Sequence, residues 1–348
     1  MKNPVRIVMA RARYGGARDD ISIEEAIIAQ YPNLEVDLEL QDIGHTAADI
    51  VAASAGADAL MLSLRHALPK ETFDAIAANG VKVVGRYGTG LDNVDLDAAA
   101  DAGIVVTHFP SYCTTEVADH TVALVLTMNR RILELDHDIR GGVWHREGGN
   151  TDGMLRGPIA AMRDLTVGIV AVGAIGRAIV ERLKVFGPTV IGHDPYVPAE
   201  VFERIGVEPV GFDELLQRSD VVILMSPLLP STRGMIGATQ FAMMKPDAML
   251  VNTSRGPIID EAAMIAHLQA TPSFRVGLDV FEHEPLPLES PLLTLPNVIV
   301  TPHSGFYSTR STETILRETM AEVLDVLSGQ RPAVVANPKV LQKIALAD

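Results

Sequence analysis

Eleven short apolar runs punctuate this chain, and helix-compatible patterns lie between most of them. Five runs cover residues 5–9, 34–40, 59–62, 81–84 and 104–106. Six more cover 167–171, 189–191, 221–224, 248–251, 275–278 and 298–300. Segments 71–78, 176–186 and 261–269 are among the helix-compatible stretches. Strands that are apolar throughout, rather than alternating, are buried on both faces, and helices supply the cover. The pattern therefore predicts α/β architecture with parallel sheets. Two sets of strands in 348 residues predict two doubly wound, Rossmann-like domains.

Between the sets, residues 115–140 read as one helix-compatible stretch with Val117, Leu124, Ile132 and Leu135 as its apolar positions. Gly141-Gly142 and Gly148-Gly149 then break the pattern around Trp144. A last helix, 311–327, either caps the second sheet or crosses back to the first.

Composition narrows the function. Asp and Glu number 44 against 29 Lys and Arg, a net charge of −15, which argues against nucleic acid as a partner. The one cysteine, Cys113, forms no internal disulfide and is expected as a buried structural thiol. The N-terminal apolar run is too short for a signal peptide, and no apolar stretch approaches the ~20 residues of a membrane helix. A soluble, cytoplasmic protein without a membrane partner is the expectation. No metal-ligating set is assigned.

The window from Thr166 to Arg177, Thr-Val-Gly-Ile-Val-Ala-Val-Gly-Ala-Ile-Gly-Arg, reads as a strand, a tight turn at Gly173 and a helix from about Ala174. Small residues there let a backbone approach a pyrophosphate, and the helix N-terminus offers N–H groups. Gly173 and Gly176 match the second and third glycines of Gly-x-Gly-x-x-Gly, and Ala171 replaces the first. The glycines alone fit an ordinary strand–helix turn equally well. The next strand decides for a nucleotide, because Asp194 ends it eighteen residues after Gly176. An acid so placed accepts hydrogen bonds from ribose hydroxyls and repels a 2′-phosphate, which favours NAD over NADP.

Three further ionisable residues follow later strands, where open α/β sheets bind ligands. Arg255 follows Met249-Leu-Val-Asn-Thr-Ser, Glu284 lies in Asp279-Val-Phe-Glu-His-Glu-Pro, and His303 follows Val298-Ile-Val-Thr-Pro. A planar Arg suits bidentate binding of a carboxylate. A His paired with an acid suits proton transfer at neutral pH. The other nine histidines, His120 among them, have no comparable setting.

With these residues in view, the chain resembles the D-isomer-specific 2-hydroxyacid dehydrogenases, a family that includes phosphoglycerate dehydrogenase and the C-terminal-binding-protein corepressors. The resemblance runs over residues 59–335. It includes Gly85-Arg-Tyr-Gly-Thr-Gly-Leu-Asp-Asn-Val-Asp, Glu116-Val-Ala-Asp-His-Thr and the glycine turn. It continues with Pro227-Leu-Leu-Pro-Ser-Thr, Asn252-Thr-Ser-Arg-Gly, Leu278-Asp-Val-Phe-Glu-His-Glu-Pro and Thr301-Pro-His.

The resemblance implies roles. Arg255 would bind the substrate carboxylate and the reacting oxygen, with Glu284 supporting His303 as acid–base. Asp279 would hold the nicotinamide carboxamide. Thr89, Ala174, Ile175, Ser226, Thr253 and Ser254 match cofactor-contact positions. Arg65 would meet the substrate, and backbone N–H groups of the Tyr87–Gly90 loop, Tyr87 and Gly88 among them, would face its carboxylate. It also implies a discontinuous fold, with residues 1–107 and 305–348 forming a substrate domain and 108–304 an inserted NAD domain. The 115–140 stretch and the Trp144 turn resemble the family's dimer-forming region, so a homodimer is expected.

Some positions depart from the family. Met225 stands where many members have His. The phosphate-binding Arg-Ser-Arg-Thr of phosphoglycerate dehydrogenases is Ser63-Leu-Arg-His, keeping only Arg65, which disfavours a phosphorylated substrate. With 45 residues after His303, no regulatory domain is expected. His303-Ser-Gly-Phe-Tyr-Ser is similar to the corepressor branch, although Phe306 replaces its Trp. Two functions follow as expectations: an NAD-dependent dehydrogenase of D-2-hydroxyacids, or an NAD(H)-sensing binding protein with little turnover.

Overall fold

The computed structural model describes residues 4–11, 19–146, 148–151 and 159–347. The chain divides into two compact units, Met1–Cys113 with Tyr307–Asp348, and Thr114–Phe306. The changeovers thus fall at 113/114 and 306/307, where the sequence suggested 107/108 and 304/305.

The first unit is a five-stranded parallel sheet of β1 (Val5–Ala10), β2 (Val36–Gln41), β3 (Ala59–Ser63), β4 (Val83–Tyr87) and β5 (Val105–His108), in the order β2-β1-β3-β4-β5. All five residues of β4 are buried, as a strand covered on both faces requires. β2 and β4 run later than the apolar runs at 34–40 and 81–84, because pairing sets the limits: Val36 faces Val5, and Val83 faces Ala59. The last helix, Thr309–Ser328, crosses back to this sheet. Gly85 in β4 allows the approach, since a Cβ there would lie 2.7 Å from Val323 Cγ2 and 2.8 Å from Thr319 Cγ2. Ser308 caps that helix by accepting the Ser311 N–H, and Gly329 ends it at φ 84°.

The second unit is a seven-stranded parallel sheet: β6 (Thr166–Val170), β7 (Thr189–His193), β8 (Glu208–Pro209), β9 (Val221–Leu224), β10 (Met249–Asn252), β11 (Arg275–Leu278) and β12 (Val298–Val300). β8 is short, exposed and polar, so it left no apolar signal in the sequence. The order β12-β11-β10-β9-β6-β7-β8 reverses between β6 and β9. Such a reversal leaves a crevice beyond the carboxyl ends of the strands, where doubly wound sheets take ligands.

The stretch expected as one helix is two, Thr114–Asn129 and Ile132–Arg140. Arg131 between them sits at φ 53°, a left-handed residue that a continuing helix cannot contain. Val117 and Leu124 are buried as expected, but Ile132, beyond the break, is 50% exposed. Cys113 is buried and forms no disulfide. Among the described residues, no helix is long and apolar enough to cross a membrane, and no cluster of three His, Cys, Asp or Glu could hold a metal ion.

Candidate active site

The exits of β6 and β7 form one tied pair of turns. Ala171 N–H donates to His193 O at 2.8 Å, and Val172 N–H donates to Asp194 Oδ2 at 2.9 Å. The Tyr196 N–H donates to Asp194 Oδ1 at 3.0 Å, so both carboxylate oxygens are oriented from the backbone. Ala171 takes φ 71°, a left-handed conformation that glycine adopts without strain and alanine does not. Its carbonyl oxygen would lie 2.6 Å from a Cβ at Gly176, which explains a glycine there: helix and turn are in near contact. Gly173 is different, because a Cβ on it would meet nothing within 4 Å. It opens onto free space at the N-terminus of the Ala174–Leu183 helix, which no side chain caps. Open space, helix N–H groups at Ala174 and Ile175 and an oriented acid on the next strand fit a dinucleotide.

Beyond β9, Ser226 is buried, with its hydroxyl 3.8 Å from Met235 Sδ, and Met225 packs against the core of the sheet. Beyond β10, a fully buried Asn252 holds the turn that carries Arg255. Its Nδ2 donates to Arg255 O at 2.8 Å, and its Oδ1 accepts Ser254 N–H at 3.0 Å and Ser254 Oγ–H at 2.8 Å. Arg255 Nη1 donates to Ser254 O at 2.8 Å, and the residue is half-buried. A Cβ on Gly256 would overlap the Phe281 backbone, so this turn lies directly on the loop after β11. Thr253 Oγ1 meets Thr121 Oγ1 of the Thr114–Asn129 helix at 2.7 Å.

Glu284 and His303 come from the loops after β11 and β12. Glu284 Oε1 accepts the Phe281 N–H at 3.1 Å, and His303 Nδ1 lies 2.7 Å from Glu284 Oε2. Burial pushes the Glu284 carboxyl up, but the His303 hydrogen bond and charge, the Phe281 N–H and the Arg255 charge outweigh it and hold the group below the usual carboxylate range. Phe306 stands edge-on to the His303 ring, with centroids 6.4 Å apart.

Asp279 is 2% exposed and is wrapped in donors: Thr301 Oγ1 at 2.5 Å, Ser304 N–H at 2.9 Å and Gly305 N–H at 2.8 Å. Burial raises its pKa, and the hydrogen bonds from His120, Thr301, Ser304 and Gly305 together bring it below the ordinary value.

The second unit thus brings together Arg255, Glu284, His303 and Asp279 at neighbouring strand exits, with Gly173, Ala174, Ile175, Gly176, Asp194, Ser226, Thr253 and Ser254 along the same edge of the sheet. Arg65, Tyr87, Gly88 and Thr89 belong to the first unit. There Arg65 is exposed, on a loop held from within by Arg86. The fully buried Arg86 donates from Nη1 to Ser63 O at 2.8 Å and His66 O at 2.7 Å, and from Nη2 to Asn93 Oδ1 at 2.8 Å. The Tyr87 side chain is 1% exposed, its hydroxyl 3.9 Å from Met61 Sδ, so only its backbone is open to a ligand role. The Gly88 N–H, expected to face a carboxylate, instead donates to Arg86 O at 3.0 Å in a tight turn at φ 137°. Thr89 O lies 3.2 Å from His108 Nδ1.

Sequence reasoning missed Asn252, Thr301, Arg86 and His120. Asn252 lay in a quoted motif without a role, and its position just before the Arg-bearing turn was the available signal. His120 likewise lay in the Glu116-Val-Ala-Asp-His-Thr block without a role, since its partners Thr301 and Asp279 are more than 150 residues away in the chain.

A family description for the D-isomer specific 2-hydroxyacid dehydrogenase NAD binding domain matches residues 122–305. The chain is 40% identical over 260 residues to D-3-phosphoglycerate dehydrogenase of Methanocaldococcus jannaschii, covering 73% of this chain and 48% of that protein. It thus spans about half the length of that relative. It is 35% identical over 315 residues to glyoxylate reductase of Korarchaeum cryptofilum, covering 89% of this chain and 92% of that one. Among solved structures, the TT0316 protein of Thermus thermophilus superposes with a TM-score of 0.82 at 31% identity, covering 95% of this chain and all of that one.

Proposed function

The chain belongs to the D-isomer specific 2-hydroxyacid dehydrogenase family, its second unit being the family's NAD-binding domain, and from that premise we propose that it interconverts a 2-oxoacid and a D-2-hydroxyacid. The observation that carries this reading is the 2.7 Å contact of His303 with Glu284 beside the Arg255 turn.

When bound, NADH supplies the hydride for C2 of the oxoacid, and NAD⁺ accepts it in the opposite direction. Asp194 receives the ribose hydroxyls, and its charge rejects a 2′-phosphate. The N–H groups at Gly173, Ala174 and Ile175 face the pyrophosphate, with Gly176 keeping the turn close. Asp279 would take the carboxamide, and Ser226, Thr253 and Ser254 would complete this unit's cofactor contacts.

Arg255 binds the substrate carboxylate and draws electron density from the C2 carbonyl oxygen. His303 delivers a proton to that oxygen during reduction and takes it back during oxidation. Glu284 engages Nδ1, which orients the ring, leaves Nε2 for the substrate and balances the charge of the imidazolium. On the family resemblance Arg65 of the first unit would meet the substrate, whereas the Gly88 N–H is already given to Arg86 O. A single arginine in the 63–66 loop favours a small unphosphorylated oxoacid.

Exposed apolar groups along the second unit, Ile132, Leu133, Ile139 and Trp144, support a homodimer, which light scattering reads as twice 37.4 kDa.

The direct test is NADH oxidation by the purified protein over glyoxylate, hydroxypyruvate, branched-chain 2-oxoacids and phosphohydroxypyruvate, with NADPH in parallel. One favoured oxoacid with NADH preferred is the expected result. Binding of NADH without turnover on any of them overturns it in favour of the NAD(H)-sensing alternative.

A further inference from the structure

One polar chain of the second unit runs from the Thr114–Asn129 helix to Asp279. His120, on the Thr114–Asn129 helix, places Nε2 at 3.0 Å from Thr301 Oγ1. The Thr301 hydroxyl has one proton, and its closest acceptor is Asp279 Oδ1 at 2.5 Å. With that proton committed, the Thr301 oxygen accepts from His120, and the imidazole is the donor. Asp279 passes the constraint on by accepting the Ser304 and Gly305 N–H groups, the two residues that follow His303.

The turn needs such support. His303 sits at φ 52°, a left-handed conformation that a non-glycine residue adopts only under strain. Conformations of that kind persist where surrounding bonds over-determine them. The Asp279 carboxylate supplies two of those bonds, and its position depends on what holds its own oxygens. His120 also lies 3.5 Å from Asp279 Oδ1 and flanks Gly305, where a Cβ would stand 3.4 Å from the His120 ring and 2.9 Å from Asp279 Oδ2. Linked hydrogen bonds in a partly buried setting polarise one another, so the first donor affects the last acceptor. On the neighbouring residue, the Thr121 hydroxyl donates to Val117 O at 2.7 Å and accepts from Thr253 Oγ1 at 2.7 Å. One helix turn therefore ties down the exits of both β10 and β12.

We propose that His120 is a positioning residue for His303, acting as the hydrogen-bond donor that fixes Thr301 and Asp279 and, through them, the turn from which the His303 imidazole projects. The proposal rests on His303 being the acid–base group, and its test has a readout that does not. His120→Phe keeps the ring's bulk against Gly305 and removes the donor. His120→Gln restores an N–H donor without the ring.

Imidazole ¹⁵N–¹H spectra of both variants follow the His303 ring, identified by the signal lost in His303→Gln, and steady-state rates follow turnover. The expected result is displaced His303 ring signals in His120→Phe. A fall of about 10-fold in kcat, with KM changed less than about 3-fold, accompanies it, since small misplacements of a reacting group cost up to ~10² in rate. His120→Gln should return both readouts most of the way. Unmoved signals and unchanged kcat in His120→Phe overturn the proposal, and so does equal loss in both variants, which means ring packing rather than donation. If wild-type protein turns over no oxoacid, the enzymatic reading fails, and the ring signals alone decide the His120 proposal by the same criteria. If His120→Phe does not fold, Thr301→Val removes the same link and is read identically.

Discussion

His303 Nδ1 and Glu284 Oε2 meet at 2.7 Å from neighbouring strand exits, nineteen residues apart in the chain. The contact commits one ring nitrogen to the carboxylate, and on the proposed function the other would serve the reacting oxygen. Glu284→Gln keeps a hydrogen-bonding group and removes the charge. The expected loss is about 10–100-fold in kcat/KM for reduction, below the ~10²–10⁴-fold of a full general acid–base contribution because His303 itself remains. Steady-state rates measure it, and wild-type rates in the variant would remove Glu284 from the mechanism.

A pH dependence follows from the same pair. The Glu284 pKa is lowered in the folded protein, so the carboxylate stays ionised as pH falls through the ordinary carboxylate range. The pair is lost only at the depressed folded value, and reduction consumes a proton besides. Reductive kcat/KM should therefore show no acid limb between pH 8 and about pH 4.5, the usual value for a free glutamate. A fall beginning near pH 6 contradicts the geometry.

Asp194 is expected to select the cofactor. Both its oxygens are already oriented by the Val172 and Tyr196 N–H groups, which points the carboxylate instead of leaving it mobile. Asp194→Ser should lower kcat/KM with NADH about 10-fold and raise it with NADPH, since it removes both a ribose acceptor and a repulsive charge. Parallel NADH and NADPH assays decide this. An unchanged ratio places the ribose elsewhere.

Ala171 carries strain at φ 71°. Ala171→Gly relieves about 1–2 kcal/mol of left-handed penalty and gives back about 0.4–1 kcal/mol through the freer unfolded chain. The net expectation is a gain near 0.5–1 kcal/mol in denaturant midpoint experiments, with NADH affinity undiminished. A destabilised variant shows that the methyl packs favourably enough to outweigh the strain.

Glu322, in the Thr309–Ser328 helix, is 4% exposed, and its carboxylate accepts the Val334 N–H at 3.1 Å. Burial pushes its pKa up to about 7, with the charges of Asp325 and Glu318 adding to the rise against the Val334 hydrogen bond. A carboxyl with a raised folded pKa binds more protons folded than unfolded, so stability declines as pH rises from about 4.5 to 7. Glu322→Gln mimics the protonated form. It should stabilise by about 2 kcal/mol at pH 8 and by little at pH 5, as thermal melts at the two values will report. Equal shifts at both pH values exclude a titrating Glu322.

The sequence by itself determined the class of fold, because continuous apolar strands are stable only when covered on both faces, and that requirement is written locally. It placed the candidates Asp194, Arg255, Glu284 and His303 and the glycine turn for a similar reason: each lies within six residues of a strand end, and strand ends are visible in a run of Val, Ile and Leu. The crossing back of the last helix was decided by Gly85 and Val323, 238 residues apart, and no local pattern pairs them. The break at Arg131 was decided by one left-handed backbone angle in a residue type that normally continues a helix. The roles of Asn252, Arg86 and His120 came from buried polar atoms finding partners. Asn252 reaches its own turn, while His120 depends on Thr301, 181 residues on. A strand end can be read from the residues within it. A buried hydrogen bond takes two partners, and only the folded chain says which two meet.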